Sequence, residues 1–499
     1  MTTTLDCTIR RGASLGALGL LALLAVACGT APGRAPGGQP PASGRAPGGP
    51  GRGSAGVGAP GTPGRGSAGV GAPGTPVSLR SVAGGWTTYH GDLVRSGNDR
   101  SGASFDPLRP AWSSPALDGQ VYAQPLVWRA LVIVATENDT IYGFHARTGK
   151  IAWKTHVGTP VPASDLPCGN VDPLGILSTP TIDASTGRLF AVAETLVAGG
   201  GVSHKLVALD ASTGKMAFSE SADPGSMTNP RAQQQRGALA VSKGRVYVVY
   251  GGLYGDCGSY GGFVVAAPAS GPGNLASYRV PTRNGGAIWD PGGPSIDSAG
   301  NVYVATGNGA STIAYDQGDS VLELSPGLRL LSSFAPSSWA ADNQDDADLG
   351  STGPVLLSGG LVFQVGKEAT GYLLHQGHLG GIGGSVASAN VCFSIGGTAQ
   401  AGADIYASCR GGVKDVRVGG PSRLRVAWQG PAGATGPPVI AGSLVWSVGG
   451  STLYGLRPST GAIVVRQALE GGADPYVTPG LGDGLMVVPT GQGVEAFTG

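Results

Sequence analysis

Charge is scarce in this chain: 32 Lys and Arg against 31 Asp and Glu in 499 residues, 13% in all, for a net charge of +1. So even a balance leaves no electrostatic footprint for a nucleic acid or another polyanion, and that class of partner is excluded. Helical patterning is equally sparse, since beyond the N-terminal leader no stretch sustains a 3.6-residue apolar period, so helices should be few. The 6 histidines are scattered and Cys-x-x-Cys does not occur, which removes the common zinc frameworks; His375 and His378 share a loop without completing a site. Downstream of the leader there is no G-x-S-x-G elbow and no phosphate loop, so hydrolase and nucleotide-binding readings have no handle.

What the chain has in quantity is turn chemistry: 90 Gly and 37 Pro, beside an apolar fraction of 41% that is ample for a core. A hairpin motif recurs, clearest as TENDTIYGFHARTGKIAWKT from Thr136 and HKLVALDASTGKMAFS from His204, with a later copy, STLYGLRPSTGAIVVRQAL, from Ser451. Each copy is a strand, a Ser/Thr-Gly corner and a second strand. One such unit cannot bury its apolar faces without a neighbour on each side, so the repetition indicates a closed or stacked array.

The first residues read as an address. Arg10 and Arg11 precede the apolar run ASLGALGLLALLAVA, too short to span a bilayer and suited to a secretory h-region. The run ends at Ala27-Cys28, which resembles a bacterial lipobox although Ala25 stands where Leu is usual. This implies a signal peptide over residues 1–27 and lipidation of Cys28, placing the mature protein outside the cytoplasm on a membrane anchor, at the cell surface or in the periplasm. An ordinary signal peptide with Cys28 incidental is the alternative. Residues 28–76 are mostly Gly, Pro, Ala, Ser and Arg with almost nothing large and apolar, and include the tandem duplicate GRGSAGVGAPGTP. Such a segment cannot bury enough surface to fold and is expected to be a disordered tether with a reach of roughly 35–40 Å.

The globular part, residues 77–499, is expected to be all-β. Apolar inner strands start near Tyr122, Ser178, Arg236, Gly293, Ser351, Val391, Gly436 and Val477. The last unit runs out of chain, and LRPAWSSPAL from Leu108 can supply its missing outer strand. Closure by strands from both termini removes free sheet edges, which predicts a single β-propeller of eight four-stranded blades, with seven as the alternative. Trp153, Trp428 and Phe218, at blade-strand ends, should fill the widening gap between neighbouring blades. Cys392 and Cys409 fall on successive strands of one blade and are expected to pair, leaving Cys168 to pair with Cys257 between loops of blades one and three.

The segment WTTYHGDLVRSG from Trp86, the ARTGKIAW and DASTGKMAF turns, GNVYVATGNG and STGPVLLSGGLVFQVGKEATGYLL resemble the pyrroloquinoline-quinone (PQQ)-type β-propeller repeat family. That family holds quinoprotein dehydrogenases and non-enzymatic relatives, among them an outer-membrane assembly lipoprotein. The resemblance implies, for the enzymes, a Ca²⁺ beside the quinone and a carboxylate base. On that pattern Asn308 and Glu194 would ligate the metal, Lys367 would face the cofactor, and one of Asp345, Asp346 and Asp348, above all Asp348, would be the catalytic base. Against the enzyme stand the missing adjacent Cys-Cys pair and the missing Cys-x-x-Cys-His. Asn308 between glycines also reads as a left-handed turn residue, and the aspartates as a solvated rim. Trp86, His90, Asp92 and Arg95 read as a latch across the bottom of the ring, held by a contact of Asp92 with Arg95 or His90.

The balance favours a monomeric, non-catalytic binding or scaffold module without cofactor, presenting rim loops to a protein, glycan or small ligand. The alternative is a PQQ- and Ca²⁺-dependent alcohol or sugar dehydrogenase.

Overall fold

In the computed structural model, residues 85–420 and 422–499 are described, within the compact unit Val77–Gly499. The signal peptide, the tether and Cys28 lie outside the described residues.

Eight sheets, antiparallel apart from the short strand Gly381–Ile382 that pairs parallel at the edge of blade 4, follow one another along the chain as the blades of a ring. Blade 1 is typical: Leu126–Trp128, Leu131–Thr136, Thr140–His145 and Ile151–His156 pair in that order, from the axis outward. The inner strands of blades 2 to 7 are Thr181–Asp183, Ala240–Ser242, Ser295–Ile296, Val355–Leu357, Ser394–Ala401 and Val439–Ala441. Blade 8 takes Gly480–Gly482, Leu485–Pro489 and Val494–Thr498 from the C-terminal end and its outer strand, Arg109–Ser113, from the N-terminal side. The expected eight-fold closure is therefore what the chain adopts. Among the described residues there is one α-helix, Trp339–Asp345.

Each sheet is covered on both faces, which explains why second strands read as continuous apolar runs. Leu131–Thr136 is buried throughout. Its Val132 and Val134 pack towards Met486 and Val487 of blade 8, while Ile133 and Ala135 pack towards Leu189 and Ala191 of blade 2. The outer strand Ile151–His156 is mostly exposed.

The Thr-Gly corner between third and fourth strands is a docking platform. Gly149 has φ +64° and its N–H donates to the His145 carbonyl at 2.9 Å. Trp112, from the neighbouring blade, lies on it so closely that a Cβ would stand 2.6 Å from the indole. Trp153 on Gly214 and Trp428 on Gly461 repeat the arrangement, and the indole N–H of Trp428 donates to the Pro458 carbonyl at 2.7 Å. The corner needs glycine twice over, for the handedness of the turn and for the room above it. Phe218 packs in the cluster between blades 2 and 3, 6.4 Å from Phe190. These aromatic residues fill the inter-blade gaps as their positions suggested.

The N-terminal segment winds around the axis and touches the blades in turn. Trp86 exchanges hydrogen bonds with Val127 of blade 1, the Thr87 carbonyl accepts from Ile182 of blade 2, and Thr88 Oγ1 donates to Leu239 beside blade 3. The carbonyls of Leu93, Val94, Ser96 and Gly97 then accept from Ile296, Leu356, Gln400 and Ile440 of blades 4 to 7. Arg95 locks the winding: its guanidinium donates to the carbonyls of Pro294, Tyr89 and Leu239 and to Thr88 Oγ1. His90 sits on the axis with Nδ1 3.0 Å from the Thr398 carbonyl, and burial pushes it down to about 3, so it is neutral. The expected latch exists, but not by the expected contact. Asp92 accepts from the N–H and hydroxyl of Ser96 at 2.9 and 2.6 Å, capping its own turn, and leaves Arg95 to the carbonyls.

Both disulfides form as expected, Cys168 to Cys257 and Cys392 to Cys409.

Candidate functional site

The winding segment covers the ring near the turns between first and second strands. Second strands run from there to the opposite face, so the residues just beyond their ends surround the other mouth. Thr306, Gly307 and Asn308 follow the strand Val302–Ala305, and Gly366 and Lys367 follow Leu361–Val365. Asp348 comes to the same place from the loop after the helix Trp339–Asp345, just before the short turn Leu349–Ser351 that leads to the inner strand of blade 5.

These side chains interlock. Lys367 Nζ lies 2.5 Å from Asp348 Oδ2 and 3.1 Å from Asp346 Oδ1. The Asn308 N–H donates to Asp348 Oδ1 at 2.8 Å, and its side-chain amide donates to Asp346 at 2.9 Å. Gly307 is obligatory here, because a Cβ would overlap Asp348. Lys367 also stands 5.5 Å from the Trp289 ring centroid. The structure thus brings Asn308, Asp346, Asp348 and Lys367 together, and leaves Asp345 exposed and outside the set. Burial raises the Asp348 carboxyl and Lys367 pulls it back; the lysine, despite its own burial, is held above its usual range by Asp348. Beneath lie Asp319, which burial pushes up to about 8, and Glu368, which burial raises well above the carboxylate range. Asp319 therefore holds its proton at neutral pH.

Glu194 is placed otherwise. On the strand Arg188–Val197 it faces the blade 2 and 3 interface, where Oε2 is 3.4 Å from His204 Nε2. His204 Nδ1 is 2.6 Å from Asp223, and the Tyr250 ring covers the imidazole edge-on at 5.0 Å. Burial works against a charge on His204, but Glu194 and Asp223 together hold it up at about 10. Glu194 shares no hydrogen bond or ion pair with Asn308, Asp348 or Lys367.

This donor set does not fit the calcium of the dehydrogenase pattern. A Ca²⁺ takes six to eight oxygens, carboxylates among them. Here Asp348 is already neutralised by Lys367 and Glu194 by His204. Asn308 Oδ1 is buried and unpartnered, a single free donor. Among the described residues no three His, Cys, Asp or Glu side chains are grouped to hold a metal.

Inside the mouth the channel narrows to a constriction with room of only about 10 Å³, about one water, lined by Tyr122, Gln124, Thr179, Arg236 and Tyr476 and floored by Tyr89. Sequence reasoning missed this inner ring. Arg236 and Trp289 each lie a few residues ahead of an inner strand, a position that the repeat spacing alone could have marked as channel-facing. Glu368 and Asp319 had no such signal, since their importance comes from burial.

A family model described as outer membrane protein assembly factor BamB matches residues 109–255. No curated protein matches. Among solved structures, the quinohemoprotein alcohol dehydrogenase from Comamonas testosteroni is 16% identical with a TM-score of 0.63, over 84% of this chain and 81% of that one. Quinohemoprotein alcohol dehydrogenase ADHIIG from Pseudomonas putida HK5 is 14% identical with a TM-score of 0.64, over 83% and 80%. BamB from Moraxella catarrhalis is 13% identical with a TM-score of 0.53, over 79% of this chain and 98% of that one. At these identities the likeness is one of fold.

Proposed function

We propose that this chain, a PQQ-like β-propeller, is an exported binding module that works without a quinone and presents its open mouth to a partner or ligand. The observation that carries the reading is the neutralisation of the two carboxylates an enzyme would need. Asp348 is tied to Lys367 and Glu194 to His204 inside the protein, so both serve the ring's own structure. Export is supported by the leader and by the pairing of all four cysteines among the described residues. Anchoring through Cys28 on a flexible tether completes the proposal. Cys28→Ser should move the protein from the membrane fraction to the soluble exported fraction.

The deciding experiment is titration of the full chain, purified in detergent, with pyrroloquinoline quinone and Ca²⁺. The expected result is no retained quinone absorbance and no dye-linked alcohol oxidation. Trp289 fluorescence, isolated by comparison with Trp289→Phe, then reports ligands offered to the mouth. Stoichiometric quinone retention would overturn the reading. It would favour the second one, a quinoprotein dehydrogenase, for which the meeting of Asn308, Asp348 and Lys367 at one mouth is the specific support.

A further inference from the structure

The even balance of charge, which gives the molecule as a whole no pull on a polyanion, is not kept face by face. On the side of the winding segment, the turns between third and fourth strands carry Arg147, Lys150, Lys215, Arg329, Arg423 and Arg457, and those between first and second strands carry Arg129 and Lys243. All of them are exposed, and none joins an ion pair among the described residues. The acids in the same turns are Asp297, which accepts from the Asn301 N–H at 2.8 Å, and Asp483, which accepts from the Ala130 N–H at 2.9 Å. At the adjoining strand ends Asp183 and Asp210 accept from their own turns and are offset by Arg188 and Arg245. Arg100 and Arg109 stand against Asp99 and Asp106 and leave the sign unchanged. The loops at the opposite mouth reverse it, with seventeen acids against five bases, Arg231, Arg236, Arg283, Lys367 and Arg410.

The basic face also exposes aliphatic side chains at fixed places. Ile151, Met216 and Ile463 open the outer strands of blades 1, 2 and 7, and Leu331 and Val426 stand second and third in those of blades 4 and 6. Their exposures lie between 36% and 45%. These are the same blades whose third-to-fourth turns are basic. Blades 3 and 5 have no base in that turn and open their outer strands with Ala276 and Ala387. At the mouth ends of the five strands the residues are His156, Ser221, Ala335, Gln429 and Ala468, none of them large and aliphatic. A face that only met water would have no reason to couple a base to an aliphatic residue, blade by blade. A linear polyanion would follow a stripe of bases and gain nothing from the aliphatic side chains. A flat interface with anionic headgroups over an apolar boundary uses both.

We propose that the winding-segment face is a docking surface for an anionic phospholipid bilayer, with the turn bases against the headgroups and the five aliphatic side chains entering the headgroup boundary. The acids at the mouth do not cancel this attraction. Leu131–Thr136, six residues long, spans about 20 Å between the faces, and charge is screened over about 8–10 Å. The chain enters the ring on this face, through Trp86 on Val127, and residues 28–84 carry five arginines and no acid. Docked so, the open mouth points away from the membrane. The contact involves a different face from the mouth and holds whether or not the mouth takes a quinone.

The test is co-sedimentation of the exported chain carrying Cys28→Ser with vesicles of phosphatidylcholine alone and of equal parts phosphatidylcholine and phosphatidylglycerol. Binding to the mixed vesicles is expected at about 50 mM salt, about tenfold or more above that to phosphatidylcholine, and lost at about 500 mM. A salt-washed fractionation therefore still finds this variant soluble. Lys150→Gln, Lys215→Gln, Arg423→Gln and Arg457→Gln together should weaken binding about tenfold or more at an unchanged melting temperature. Ile151→Ser with Ile463→Ser should weaken it about threefold or more. Should the fourfold variant fail to fold, hydrogen exchange of the unsubstituted turns replaces it, and mixed vesicles must slow exchange at 146–150, 211–215 and 457–462. No preference for mixed vesicles overturns the proposal. So does undiminished binding in the folded fourfold variant, which would put the attraction in Arg34, Arg45, Arg52 and Arg65. Displacement by soluble polyphosphate, with the isoleucine variant binding as before, would overturn it too, in favour of a general polyanion surface.

Discussion

At the residue scale the most consequential pairs are tryptophan and glycine. Trp153 is 9% exposed and rests on Gly214, whose φ is +69°. Trp153→Ala should cost about 3–5 kcal/mol, because the indole fills a gap its neighbours cannot close. Gly214→Ala should cost about 1–3 kcal/mol for the overpacking alone, with a further penalty for the left-handed backbone. Chemical denaturation of both variants checks this, and an unchanged midpoint for Trp153→Ala would show that the indole does not hold the blades together. The pairing was half legible in the sequence. A tryptophan at a strand end and a glycine at a corner stand out, but which corner receives which indole depends on the next blade.

At the element scale the N-terminal winding is the most exposed to test. Its backbone bonds with the blades are few and spaced, so the buried Arg95, 3% exposed, is what holds the segment in one shape. Arg95→Met leaves the carbonyls of Pro294, Tyr89 and Leu239 without their charged donor. A loss of about 3–5 kcal/mol is expected, as when one partner of a buried charged network is removed. Hydrogen exchange should show the Ile182, Ile296, Leu356 and Ile440 amides losing protection together. If they keep their protection while global stability falls, the segment is not acting as one element. WTTYHGDLVRSG announced a latch, and its polar residues drew attention to Asp92. Partner choice was not legible, since Arg95 meets carbonyls contributed by residues far along the chain.

At the scale of the whole molecule, two properties follow from closure and burial. The ring is shut by Arg109–Ser113 against Val494–Thr498. Deleting residues 494–499 should expose two sheet edges and replace one cooperative unfolding transition by a lower, broader one in calorimetry. A single sharp transition at the original temperature would mean that the closing strands are dispensable. The second property is a decline of stability with rising pH. His204 is held at about 10 against an ordinary 6.5, its neighbours outweighing burial. Its contribution is therefore full below pH 6.5 and lost as pH rises through 10. Burial holds Asp139 and Asp319 at about 8, and their contributions are full below 3.8 and lost as pH rises through 8. The unfolding free energy should thus fall from pH 5 to pH 10, and His204→Asn should flatten the upper half of that decline. A free energy that rises over this span would contradict the protonated carboxyls.

The sequence by itself determined the fold class, the blade count, the closure by both termini and the cysteine pairing. Each of these follows from local pattern: where apolar runs recur, where Thr-Gly corners turn, how many strands the last unit lacks. The family resemblance also brought Asn308, Asp348 and Lys367 into one set, together with Glu194, which the structure places elsewhere. The tertiary structure alone decided what those residues are bonded to. Pairing Asp348 with Lys367 and enclosing the Glu194–His204 pair under Tyr250 depend on side chains from different blades meeting across the ring. Burial and distance set their charges, and neither is a property of the residue or of its place in the repeat.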